Sequence, residues 1–192
     1  MKLIFLDIDG VMNSVGDRFS YSLETDYHFE LLKRIVGATC ARIVLSSSWR
    51  ISEDGRNIVQ KRLGDFGMEF IGCTPFDPNK GHVERGEEIR KYLMNSHGED
   101  IESFVILDDE GDMCEFKDKH LVQTCQYKGL QIDDMLEAIM ILNNQIRLKK
   151  IYDERGKLVG VESIFFKNNL ERKPKCHYRE NYINSVKEKN KK

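Results

Sequence analysis

Residues 1–13 read MKLIFLDIDGVMN, and this stretch decides the fold. The run from Lys2 to Leu6 is almost wholly apolar, as expected of a strand buried on both faces of a sheet. It ends by delivering two carboxylates, Asp7 and Asp9, one residue apart. Like charges that close repel, and a buried charge without a partner is strongly unfavourable. Three arrangements are open: a cation between the two acids, a proton on one of them, or both facing water.

Further along, "ARIVLSSSWR" and "ESFVILDDE" repeat the pattern of a short apolar run ending in polar or acidic residues. "MEFIGCTP" and "HLVQTC" are two further strand candidates. Between them lie helix-like segments. "YHFELLKRIVGAT" places Phe29, Leu32, Ile35 and Val36 on one stripe. "EDGRNIVQKRLGDFG" ends in a glycine, Gly67, suited to closing a helix. "RGEEIRKYLMNSHG" has acids near its start, and "DDMLEAIMILNNQI" offers Asp133 and Asp134 as cap candidates. Strands alternating with helices predict an α/β fold, a mostly parallel sheet with helices on both faces. Ligands in such folds bind beyond the carboxyl ends of the strands. "DID", "SSSWR" and "LDDE" would all meet at that edge.

The 192 residues suit one domain with an extension, and 40% apolar and 32% charged residues describe a soluble globular protein. No apolar run approaches membrane-spanning length, and the short amino-terminal run ends in acids, which makes it a poor signal peptide. The five cysteines, odd in number and without a C-x-x-C pair, favour a reducing cytoplasm over a disulfide framework or a zinc site. The net charge of −2 conceals an asymmetry. From Arg147 onward, 14 Lys or Arg face 6 Asp or Glu, a net of +8, against −10 for the first 146 residues. Residues 1–146 are therefore read as one acidic globular domain. Residues 147–192 are read as a basic extension, with a hairpin candidate around "ERGK" followed by a tail.

If the "LDID" and "LDDE" strands are neighbours, Asp7, Asp9, Asp108 and Asp109 gather in a small volume. Mg²⁺ suits such a site, since it takes few carboxylates and keeps room for water and a phosphate. A calcium-binding EF-hand loop does not fit, because Gly10 comes too early and Arg18 stands where the closing glutamate belongs. Beside Mg²⁺, one aspartate can attack phosphorus while a second moves protons. The serines of "SSSWR" offer neutral donors to phosphate oxygens, and Arg85 adds a positive charge at a helix start.

"FLDIDGV", "RIVLSS", "RGEEI" and "VILDDEGD", in that order within residues 3–112, resemble the four motifs of the haloacid dehalogenase (HAD) superfamily, most of whose members are Mg²⁺-dependent phosphohydrolases. The combination with "GCTP" further resembles the HAD domains of RNA-repair (Swiss Army Knife) proteins, which are compared with polynucleotide end phosphatases. The resemblance implies a Rossmann-like core reaching to about residue 145. It makes Asp7 the nucleophile and Asp9 the general acid/base, with the Asp9 backbone carbonyl on the metal. Asp109 is the best match to the metal-binding acid, Asp108 assists, and Asp112 is an outside candidate. Ser47, then Ser46, match the phosphate-binding serine. Arg85 stands where a lysine is common, with Lys80 as its rival. Arg50 resembles an arginine that polynucleotide phosphatases use in a similar place.

Bland readings stand beside these. The serines could cap the following helix, Arg50 could be solvated, and Arg85 could pair with Glu87 or Glu88. Trp49 is read as core packing before base stacking, and the five histidines as surface residues. Asp9 and Ser46 are separated by 36 residues, as are Ser48 and Arg85. Neither interval leaves room for a separate lid, so the expected site has little or no cap and is open. An open site suits bulky phosphate esters such as polynucleotide ends or nucleotides, recruited by the basic tail. The alternatives are a phosphoprotein phosphatase and a catalytically silent module that binds nucleic acid or a partner. The expected setting is cytoplasmic, without a membrane.

Overall fold

The computed structural model describes residues 1–14, 23, 25–79, 83–96 and 101–143, together with the backbone of 147–152 and 158–164. Five strands form a parallel sheet: β1 (Lys2–Leu6), β2 (Arg42–Leu45), β3 (Phe70–Cys73), β4 (Ser103–Asp108) and β5 (Leu121–Gln123). Their order is β3-β2-β1-β4-β5. The amino-terminal strand is thus central, and the order reverses beside it, between β1 and β4. That reversal opens the crevice in which doubly wound sheets bind ligands.

β1 is apolar from Leu3 to Leu6 because both its faces are covered there. Ile4 and Leu6 point into one cluster with Ile43, Leu45, Val105 and Leu107. That cluster is covered by α1 (Asp26–Thr39), α2 (Glu53–Asp65) and α5 (Ile132–Asn143). Leu3 and Phe5 point the other way, into a cluster with Ile89 and Leu93 of α3 (Arg85–Asn95) and with Phe104 and Phe116. The stripe expected on α1 is present: Phe29, Leu32 and Ile35 are fully buried, and Val36 packs against them. A 3₁₀ turn (Ser48–Arg50) leads from β2 to α2. A second turn (Cys114–Phe116) and the short α4 (Lys117–His120) precede β5.

The glycine at the end of α2 acts as expected. Gly67 has φ 72°, its N–H reaches Gly64 O, and the N–H of Met68 reaches Leu63 O. These bonds satisfy carbonyls that the helix end leaves open. The start of α5 differs from expectation. Asp133 and Asp134 are not the cap; Asp134 reaches back to accept from the N–H of Gln131, the reciprocal half of a capping box.

The expected surface placement of the histidines fails for two of them. His28 and His120 are 4% and 1% exposed, and each places Nδ1 on a backbone carbonyl, of Leu130 and Phe104 respectively. His120 also stacks on Phe104, ring centroids 3.9 Å apart. An imidazole whose polar atom finds a carbonyl can be buried like an aromatic ring. The other three histidines lie outside the described residues.

Between β1 and β2 the described chain forms α1, and between β2 and β3 it forms the 3₁₀ turn and α2. No separate lid appears among the described residues. Beyond the sheet, β6 (Arg147–Tyr152) and β7 (Leu158–Ile164) pair antiparallel as a two-stranded ribbon. The basic stretch after residue 164 lies outside the described residues. No helix among the described residues is long and apolar enough to cross a membrane.

Candidate active site

Register builds the site. Leu6 lies opposite Leu45 on β2 and Leu107 on β4, so the next residues, Asp7, Ser46 and Asp108, emerge at one level. Backbone bonds continue past the strand ends and hold that alignment. Asp7 N–H donates to Leu107 O at 3.0 Å, Ser46 N–H to Leu6 O at 2.9 Å, and Thr124 N–H to Asp108 O at 2.9 Å.

Asp7 and Asp108 are buried, and Arg85 serves both. Its Nη1 donates to Asp7 Oδ1 at 2.6 Å and to Asp108 Oδ2 at 2.8 Å. Arg85 is the first residue of α3, and its backbone N–H donates to Asp112 Oδ2 at 3.2 Å. Burial pushes the Asp7 carboxyl up, against the opposing pull of Arg85 and a hydrogen bond with Ser47. Burial and then the Asp7 charge push Asp108 up to about 8, against the pull of Arg85 and the Glu110 N–H. Burial works against the Arg85 cation, but Asp7 and Asp108 outweigh it and raise its pKa. The alternative pairing of Arg85 with Glu87 or Glu88 is not what forms.

One carboxylate oxygen each from Asp7, Asp108 and Asp109 lie within 4.8 Å of one another. An all-oxygen set of three carboxylates at this spacing fits a hard divalent cation such as Mg²⁺. Asp108 is raised first by burial and then by the Asp7 charge, and a bound cation would offset that repulsion. Asp112 stands apart from this set, and its Oδ1 is buried without a partner.

Asp9 is placed separately. Asn13 Nδ2 donates to its Oδ1 and Trp49 Nε1 to its Oδ2, both at 2.9 Å. Asn13 is itself fixed by the Gly10 N–H at 3.0 Å. Trp49 packs against the larger core cluster, as expected, but its indole N–H has a task that packing alone does not describe. The aromatic ring was legible as core, whereas the N–H partner, 40 residues away in sequence, depends on how β1 and β2 lie together. Asn13, four residues after Asp9, is a site residue the motif reading passed over.

Of the serines, Ser47 is buried, forms a hydrogen bond with Asp7, and caps the 3₁₀ turn through Trp49 N–H. Ser46 is fully buried, and its Oγ has no partner. Ser48 is exposed. Arg50, read as either phosphate-binding or solvated, is buried and engaged with the protein. Its Nε donates to Thr74 O at 3.1 Å, and its Nη1 to Ser46 O at 2.8 Å and Ser47 O at 2.7 Å. Nη2 meets Glu88 Oε2 at 2.5 Å. The guanidinium ties the serine loop to α3. Lys80, the rival to Arg85, lies outside the described residues.

Through Arg85, which also meets Asp7 and Asp108, the site adjoins a cleft of about 350 Å³ whose lining includes Ser48, Arg50, Phe76, Glu110 and Asp112. An aspartate at the end of the central strand, a second two residues on, a serine beside it, a helix-start cation and a further acid pair now occupy one edge. That is the arrangement the four motifs implied. No curated protein and no solved structure matches the chain. Residues 3–135 match the family model of the HAD domain in Swiss Army Knife RNA repair proteins, so the chain belongs to that HAD family.

Proposed function

We propose that the chain is a Mg²⁺-dependent phosphomonoesterase that works through an aspartyl-phosphate on Asp7. The observation that carries this reading is the different setting of two carboxylates in one short loop. Asp7 is buried against a guanidinium, while Asp9 is half-buried and held by two neutral donors. Groups set apart in this way take different roles in catalysis.

Asp7, Asp108 and Asp109 would hold the cation, with the Asp9 carbonyl as the further ligand the resemblance implies. When bound, Mg²⁺ supplies charge that screens one anion attacking another. Arg85 and the Ser46–Ser47 loop orient the phosphate oxygens. An Asp7 oxygen forms a bond to phosphorus as the ester P–O bond breaks, and protonated Asp9 gives its proton to the departing oxygen. Water then attacks the aspartyl-phosphate, Asp9 takes its proton, and the bond from phosphorus to Asp7 breaks to release phosphate.

Since no lid covers the cleft among the described residues, the substrates proposed are bulky phosphate esters, polynucleotide ends and nucleotides foremost. The RNA-repair setting of the family and the positive charge after residue 146 support that choice. Phosphate release from p-nitrophenyl phosphate with Mg²⁺, compared between wild type and Asp7→Asn, tests the chemistry; equal release from both overturns it. A panel of 3′- and 5′-phosphorylated RNA and DNA, mononucleotides and phosphopeptides, run at several salt concentrations, tests the substrate class. Preference for phosphopeptides would transfer the reading to phosphoprotein. Binding of nucleic acid without turnover of any ester would leave a silent module.

A further inference from the structure

We propose that Trp49 is a positioning residue for proton transfer, its indole N–H holding the Asp9 carboxylate in line with the departing group. This rests on the phosphomonoesterase reading above. A carboxylate turns about two single bonds, and one donor fixes one oxygen without fixing its plane. Asp9 has a donor on each oxygen, Asn13 Nδ2 on Oδ1 and Trp49 Nε1 on Oδ2. Asn13 belongs to the same loop and moves with it. Trp49 comes from the turn after β2 and ties the Asp9 side chain directly to the serine loop.

Trp49 is itself held firmly. Its backbone N–H donates to Ser47 Oγ at 3.5 Å, and Arg50 grips the carbonyls of Ser46 and Ser47. On the other side, Gly55 approaches so closely that a Cβ there would lie 2.3 Å from the Trp49 carbonyl oxygen. No other residue type fits against that carbonyl without moving the turn. The same turn brings Ser47 to Asp7. One short element therefore holds the hydroxyl beside the nucleophile and the donor on the proton carrier. As the ester P–O bond breaks and the Asp9 proton passes to the leaving oxygen, the Asp9 anion that forms is received by two N–H donors already in place.

Trp49→Phe keeps an aromatic ring and removes the N–H. The comparison uses kcat/KM, which covers steps up to aspartyl-phosphate formation, for p-nitrophenyl phosphate and an alkyl phosphate such as glycerol phosphate. The alkoxide leaves only with a proton, so Trp49→Phe should lower kcat/KM roughly 100-fold for the alkyl ester and only a few-fold for the nitrophenyl ester. A change that merely loosened the core would lower both alike, and that outcome overturns the proposal. In an Asp9→Asn background the same substitution should add no further loss, since the effect runs through Asp9; additive losses overturn it.

A second readout needs no turnover. Trp49 is the chain's single tryptophan, so the indole N–H band in ultraviolet resonance Raman spectra belongs to it alone. The band should shift towards a weaker hydrogen bond in Asp9→Ala, with the circular dichroism spectrum unchanged. An unchanged band overturns the proposal. Failure of wild type to release phosphate from any ester overturns the enzymatic reading instead, and the band then decides whether the indole holds Asp9.

Discussion

Arg85 and Asp7 meet at 2.6 Å, and the same nitrogen reaches Asp108 at 2.8 Å. One guanidinium thus joins the strand that leads to Asp7 to the strand that ends at Asp108, just before Asp109. Its removal leaves two buried carboxylates without a cation, a change that typically costs about 3–5 kcal/mol. For a chain of this size that corresponds to about 6–20 °C in Tm. Arg85→Met should show that loss in thermal unfolding, and Arg85→Lys should recover part of it. Added Mg²⁺ should raise the Tm of Arg85→Met more than that of wild type, because it then supplies the missing charge. Equal Mg²⁺ effects would speak against a cation site among these acids.

Ser46 and Ser47 should separate cleanly. Ser46 Oγ is buried without a partner, so Ser46→Ala removes an unsatisfied group and should leave Tm unchanged or slightly raised. If that hydroxyl awaits a phosphate oxygen, the variant should still weaken competitive inhibition by inorganic phosphate, by about 10-fold, the worth of one hydrogen bond to an anion. Ser47→Ala loses bonds to Asp7 and to the 3₁₀ turn and should lower both Tm and kcat.

Arg50 holds the serine loop through the carbonyls of Ser46 and Ser47, reaches Thr74 O, and closes on Glu88. Arg50→Met should cost about 3–5 kcal/mol in urea unfolding, because it strands Glu88 and the carbonyls. Arg50→Lys should not rescue it, since one ammonium cannot span that fork. Retention of wild-type stability would place Arg50 among substrate-binding groups instead.

His120 gives the protein an acid-sensitive core. Burial lowers its pKa to about 4, against an ordinary value of 6.5. Between those values the unfolded chain binds a proton that the native chain does not. Stability is therefore complete above about pH 6.5 and falls as pH drops towards 4, by about 3 kcal/mol for a shift of this size. His120→Phe should flatten that part of the Tm-against-pH curve while losing the bond to Phe104 O. An unchanged slope would assign the acid sensitivity to other groups.

How much of this was legible depended on where each signal resides. The apolar runs of β1 and β4 and the acids that end them are local, so Asp7, Asp108 and their meeting at one edge could be read directly. Arg85 at a helix start was legible for the same reason. Trp49 and Arg50 were not, because an indole or guanidinium shows its partners only once β2, the serine loop and α3 are assembled. His28 and His120 misled because a polar residue without ligand spacing is ordinarily exposed, and the carbonyls that admit them to the core come from distant residues.

The central claim is that Asp7 carries the phosphoryl group. Its most direct test is to quench the enzyme in acid during turnover with Mg²⁺, reduce it with borohydride, and map the peptides by mass spectrometry. Reduction of an aspartyl-phosphate yields homoserine, and the account predicts it at position 7 in wild type and nowhere in Asp7→Asn. Homoserine at another aspartate, or steady phosphate release by Asp7→Asn, would contradict it.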